Sequence, residues 1–482
     1  MKKIFSSNLL AGLLALAFSL PLVAQQAEIQ YFRPWNKNGI NVFEPTKGGT
    51  QPEYKGVSLR IGGSFTQDYQ SLKSSNEASY VATSATNKLN KNLLYGVIKT
   101  QDSTSSTLSG FNLAMANLNL DFQVDDGIRV CLENYMSARH HNEFWVKGGY
   151  IQIDKLPMFG NPQWFTDYFR VKIGHFTPNF GDQQFRRTDG GNAIFNAFTE
   201  NYILDAFTTE IGSEIYAFPT KNLMIMGGMS SGFINGNILP PPTALTNGVV
   251  AVKRTPSIFL KAAFDKKFSD DFRFRISASL YHNSNSQRNT LFAGDRTGSH
   301  YFGVMEPATI GGLPISIGTS PTNTATQAGP NFTSGRFNPN VDNRLDAITI
   351  NPFLKYKGIE IFGSFDMIKG GLYADVKDGE WVKRTWNQTA IEGLYRFLPH
   401  EQAYIGARYI TVTGQPRGIT DAQGKQVDIT INRLAFAAGW FPTQNLLLKL
   451  EYVNQDYKNF LKTDYRYNGN FKGVMVEAVI GL

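Results

Sequence analysis

After residue 56 the chain repeats one pattern sixteen times: a run of about 9–12 residues in which apolar and polar side chains alternate. Alternation of period two is the mark of a β-strand with two unlike faces. The runs extend from 57–66 and 112–123 to 471–482, and most suit a tilted strand crossing a bilayer. Their connections alternate short and long. Short ones include Asp125-Asp126-Gly127, Tyr356-Lys357-Gly358 and Pro442-Thr443-Gln444, each with turn chemistry. Long ones include 67–111, 177–207, 233–255 and 283–344. A soluble sandwich gives no reason for that rhythm. A membrane barrel does, because one rim carries tight turns and the other carries loops. The pattern predicts an all-β fold: a transmembrane antiparallel β-barrel of about 16 strands.

Hydropathy agrees. No apolar run after the N-terminus reaches the roughly 20 residues of a spanning helix, and mean hydropathy is −0.25. In 271–282, Phe272, Phe274, Ile276, Ala278 and Leu280 share one face; Arg273, Arg275, Ser277, Ser279 and Tyr281 share the other. A lipid-facing Arg or Lys costs about 2–4 kcal/mol near the midplane. The charged face is therefore expected to line the lumen. The same parity places Arg129, Arg170, Lys172, Glu210, Lys355, Glu392, Arg396, Arg408 and Lys449 there as pore-lining residues. Aromatics gather beside the short turns (Trp164, Phe165, Tyr168, Phe218, Phe268, Trp440, Phe441), where a girdle is expected.

Residues 1–24 read as an export signal: Lys2 and Lys3, then an apolar run to Leu20, then a Leu22-Val23-Ala24 cleavage site. Residues 25–56 are irregular, but Tyr31, Phe32, Trp35, Val42 and Phe43 are too many apolar groups for a plain tail. This segment is expected to order at the periplasmic mouth or just inside it, with the barrel spanning 57–482. The lone Cys131 allows no internal disulfide. The net charge is +8, or +6 without Lys2 and Lys3. In an exported chain the surplus points to anionic solutes and lipopolysaccharide rather than nucleic acid.

Between the strand-like runs FRVKIGHF and TTEIGSEIYAF lie about thirty residues with no periodicity. Loops that long usually have a task. The 177–207 stretch, third of the long connections, is expected to fold into the lumen as a constriction. Gly190-Gly191 permits a sharp fold, and Ile194, Phe195, Ala197 and Phe198 can pack it against the wall. Arg186, Arg187, Asp182 and Asp189 are the candidate solute-binding residues. The two guanidiniums either meet passing anions or pair with carboxylates and pin the loop.

At GHFTPNFG the chain resembles the phosphate-selective porin O and P family in its Bacteroidetes form. The matching positions are Gly174, Phe176, Phe180 and Gly181, at the end of a strand entering the third loop. The resemblance implies an outer-membrane homotrimer of sixteen-stranded barrels with an inward third loop and basic residues guiding anions. Only the architecture carries over. Acidic residues interleave with basic ones on the lumen face, where a strict phosphate pore would be one-sided.

No GxSxG, Walker loop or GxGxxG motif occurs, and no histidine is flanked by a nucleophile motif. His140, His141 and Glu143 read as surface loop, and the Asn36-Lys37-Asn38-Gly39 run lacks the carboxylates of a calcium loop. No enzyme, cofactor or metal is expected. The expected activity is passive diffusion of small hydrophilic solutes with a mild anion preference, phosphate among the candidates. The alternative is a barrel subunit that scaffolds a larger envelope complex.

Overall fold

The computed structural model describes residues 26–45, 47–78, 81–82, 88–89, 106–137, 144–232, 254–294, 297–306, 309–310, 313–314, 334–377, 380–421 and 423–482. The stretch expected to be an export signal (1–24) and His140, His141 and Glu143 lie outside them. Sixteen strands close into one antiparallel barrel. They are β1 (Ser58–Ser75), β2 (Ser106–Asp125), β3 (Ile128–Ser137), β4 (Phe144–Ile153), β5 (Phe169–Phe176), β6 (Glu210–Thr220), β7 (Leu223–Ser230) and β8 (Ser257–Lys267). There follow β9 (Phe272–Asn283), β10 (Arg344–Tyr356), β11 (Ile359–Gly371), β12 (Arg384–Phe397), β13 (Ala403–Gly414), β14 (Ile429–Trp440), β15 (Leu446–Lys458) and β16 (Asn470–Gly481). Each pairs with its sequence neighbours. β1 closes on β16, from Ser64 opposite Gly481 to Ser75 opposite Asn470. Closure leaves no unpaired edge, which the bilayer demands.

Burial follows the alternation. Ile276 and Leu280 face outward, whereas Arg275, Ser277, Ser279 and Tyr281 are buried inward. Leu448, Leu450 and Tyr452 face outward opposite buried Lys449 and Glu451. Two strands run well past the expected segments, so the long connection after β1 is shorter than 67–111. The apolar signal stops because Gln67, Ser71 and Lys73 occupy the outer face there, while Gln70, Leu72 and Ser74 remain buried inside. Pairing with β2 continues regardless, as at Leu72 opposite Leu108. Backbone pairing persists where the outer face needs no grease.

The girdle expectation needs correction at three positions. Trp164, Tyr168, Phe268 and Trp440 are exposed outward, but Phe165, Phe218 and Phe441 are buried. Phe218 stacks on Tyr216 at 6.4 Å inside the barrel. A second correction is larger: the interior is not uniformly wet. Inward positions include Phe259, Phe353, Ile410, Ile431 and Val453, all buried. Three chain segments cover them.

The third loop, between β5 and β6, folds inward. Its Ile194, Phe195 and Phe198 pack with Leu394, Tyr404, Leu447 and Val479. Its Phe180, Ile203 and Leu204 join Phe259, Tyr281, Phe353 and Ile410. Burying each large apolar side chain contributes about 1.5–3 kcal/mol, which helps offset the entropy of ordering the loop. The fifth loop, between β9 and β10, lies against it. Ser299 Oγ and the His300 N–H donate to the Glu200 carboxylate of the third loop, and Arg336 pairs with that carboxylate at 2.7 Å. From the short-turn end, residues 26–45 and 47–56 enter. The Gln30 N–H donates to Gln123 Oε1, the Lys37 N–H to the Gln444 carbonyl, and Asn41 Nδ2 to Glu360.

Candidate functional site: a cationic cavity beside the third loop

Inward parity brings charged side chains to the loop, and their partners decide what path is left. On the β8–β16 side the wall seals against the loop. Asp182 receives Arg275 and Lys261, each at 2.8 Å. Arg186 lies 3.0 Å from Glu360 and 3.3 Å from Glu392. Arg408 donates to the Glu200 carbonyl, Arg433 to the Asn201 carbonyl, and Lys449 to the carbonyls of Ala193 and Phe198. Arg396 pairs with Glu360 at 2.9 Å. Glu210 accepts from Tyr281 and Ser230. These are the cations and carboxylates that parity assigns to the lumen. They cap backbone carbonyls and one another, a role that a loop buried in low dielectric requires.

On the opposite side, facing β3–β6, a cavity of about 180 Å³ remains. Strands β3, β4 and β5 supply Arg129, Glu133, Lys147, Arg170 and Lys172. The third loop supplies Arg187 and Asp189, and the N-terminal segment supplies Arg33 and Glu44. The lining thus sets six cations against three carboxylates. Rings of Phe32, Trp35, Tyr150 and Phe207 fill the spaces between them.

Most of these cations are matched. Arg129 meets Asp121, Arg170 meets Asp154 at 2.8 Å, and Arg187 meets Asp189 and Asp205. Two are under-compensated. Lys172 Nζ lies 4.0 Å from Glu214 and sits over the Tyr150 and Phe176 rings at 4.3 and 4.4 Å. Arg33 donates to the carbonyls of Gly39 and Phe185 and stacks 3.9 Å from the Phe195 ring. Among the described residues no carboxylate lies within ion-pair distance of Arg33.

No family model matches the chain, and no curated protein matches it. Among solved structures it is similar to the anion-selective porin from Comamonas acidovorans, at 9% identity over 88% of this chain and 100% of that one, TM-score 0.48. It is also similar to the outer membrane channel DcaP of Acinetobacter baumannii, at 12% identity over 89% and 99%, TM-score 0.48. A BenF-like porin from Pseudomonas fluorescens is similar at 10% identity over 88% and 98%, TM-score 0.39.

The four loop residues singled out from the sequence divide in two. Arg187 and Asp189 border the cavity; Arg186 and Asp182 face the sealed wall. Of the wall candidates, Arg129, Arg170 and Lys172 border it. Arg273 pairs with Asp265 at 2.6 Å and Lys355 with Glu401 at 2.7 Å, both half-buried near the short turns.

Parity misses Lys147, for a definite reason. Glu133 pairs with Gly148 but Asn134 pairs with Val146. Lys147 is the extra residue of a β-bulge, which turns it inward against the alternation. It sits 3.3 Å from Asp189. Arg33 and Glu44 carry no periodic signal; only the aromatic content of their segment hints at burial. Burial alone would raise the Glu44 carboxyl, but Arg275 and Lys261 outweigh it and hold it at about 2. Burial lowers the Lys47 ammonium to about 8, although Asp154 lies 3.2 Å away.

Proposed function

We propose that this barrel is an outer-membrane diffusion channel for small hydrophilic solutes with a preference for anions. Its path runs between the third loop, the N-terminal segment and the β3–β6 wall. The observation that carries this reading is the cationic cavity, with Lys172 and Arg33 less than fully neutralised. Cations beside low-dielectric walls raise local anion concentration and repel cations. No bond is made or broken in such a passage. The residues in the constriction role are Arg187 and Asp189, joined by Lys147, Lys172, Arg33 and Glu44; Arg186 and Asp182 anchor the loop. The family resemblance supports a homotrimer among outer-membrane lipid and lipopolysaccharide.

Reversal potential in a planar bilayer under a salt gradient tests the proposal. Anion-selective steps are expected. Cation selectivity or complete silence would refute it. The scaffold alternative gains support from one feature, the filling of the lumen by three segments. A silent barrel that co-purifies with stoichiometric partners would favour it.

A further inference from the structure

At the β1–β16 seam, Asp68 stands directly opposite Glu477 in register. Both side chains point inward and both are completely buried. Two carboxylates face to face in low dielectric repel unless something positive stands between them. Lys449 serves one oxygen of Glu477 and also donates to two third-loop carbonyls. The remaining neighbour is His300 of the fifth loop, itself buried. Its Nδ1 lies 2.8 Å from Asp68 Oδ2 and 2.9 Å from Glu477 Oε2.

The polar atoms left over set this cluster apart from an ordinary ion pair. Among the described residues, the buried Asp68 Oδ1 and His300 Nε2 have neither a hydrogen-bond nor an ion-pair partner. Buried polar groups rarely forgo hydrogen bonds. Here one nitrogen and two carboxylate oxygens lie within 4.8 Å of one another. Metal–ligand bonds of about 2.1 Å meeting at 90–109° hold their donors about 3.0–3.4 Å apart, so the two measured separations need open by only a few tenths of an ångström.

We propose that Asp68, His300 and Glu477 form a binding site for a first-row divalent transition metal of the zinc class. An imidazole nitrogen with two carboxylates favours such ions over magnesium or calcium, which prefer all-oxygen sets. The ion replaces the like-charge pair with a bridge. It ties the fifth loop to the seam where the barrel closes, and through the His300 N–H···Glu200 bond it secures the third loop. Metal affinity would therefore be a measure of how firmly the lumen segments are held.

The experiment uses the full mature chain, purified in detergent without a polyhistidine tag. Metal content is measured as purified, after chelation, and after reloading with Zn²⁺ or Co²⁺. One equivalent per chain is expected, with Co²⁺ giving visible d–d absorption from a nitrogen–oxygen set. Asp68→Asn and His300→Ala should each weaken binding at least tenfold, with barrel closure checked by heat-modifiable gel mobility. Zn²⁺ should slow proteolysis of the fifth loop in the parent chain but not in His300→Ala. Sub-stoichiometric uptake without a d–d spectrum in the parent chain overturns the proposal, and needs no variant. Uptake identical in parent, Asp68→Asn and His300→Ala overturns it equally, because the ion would then sit elsewhere.

Discussion

Replacing Lys172 by methionine keeps the side-chain stem and removes the ammonium beside the cavity. An anion passing about 5 Å from that ammonium gains roughly 0.8 kcal/mol at a dielectric of 80 and about 3.3 kcal/mol at 20. Salt at about 0.1 M, with a Debye length near 10 Å, trims this to roughly 0.5–2 kcal/mol. Glu214, 4.0 Å from Nζ, offsets part of the attraction, so the lower end applies. A cation loses what an anion gains, which doubles the effect on their ratio. The anion-to-cation permeability ratio should therefore fall about threefold to tenfold in Lys172→Met, since about 1.4 kcal/mol is a factor of ten. Reversal potential under a tenfold potassium chloride gradient reads this directly. Arg33→Met should act in the same direction, and the double variant further. An unchanged ratio in the double variant, with channels still open, would refute the assignment of the path to the β3–β6 side. Lys267→Met, at an exposed short turn where the ammonium pairs with Asp270, serves as the control and should leave the ratio nearly unaltered.

Three further outcomes are expected. A Cβ at Gly62 would lie 1.9 Å from Trp35 Cδ1, so Gly62→Val should expel Trp35, loosen residues 26–56 and raise single-channel conductance. Arg187→Ala removes the guanidinium that bonds Asp189 and Asp205 together and leaves them to Lys147 and Arg336, a loss of roughly 1–3 kcal/mol; faster amide exchange in the third loop would register it, and Arg187→Lys should restore little because the guanidinium bonds both carboxylates at once. The Glu44 carboxyl is held at about 2 against an ordinary 4.5. Its contribution is complete above 4.5 and lost as pH falls toward 2, so protection of the N-terminal segment should be flat from pH 7 to about 5 and decline only below.

The barrel was legible in the sequence because lipid punishes error on one face. Arg170, Arg275 and Lys449 must turn inward whatever surrounds them, and they do. That argument sets direction and stops there. It cannot say whether an inward cation meets water, a carboxylate or a backbone carbonyl, because each satisfies the charge. Lys449 meets carbonyls, Arg275 meets Asp182 and Glu44, and Lys172 keeps part of its charge for the cavity. Those choices depend on where the third loop lies, and the loop is positioned by apolar side chains with no period to read. Lys147 fails for another reason, since a single inserted residue reverses parity without altering composition. In the sequence Glu477 is an ordinary inward carboxylate and Asp68 falls in the 67–111 stretch expected to be a long connection. Only the register of the closing seam makes them opposite one another, and only the folded fifth loop brings His300 between them. Selectivity in such a barrel is therefore set by segments that are not strands: the wall supplies a surplus of inward charge, and the lumen segments decide how much of it a solute can feel.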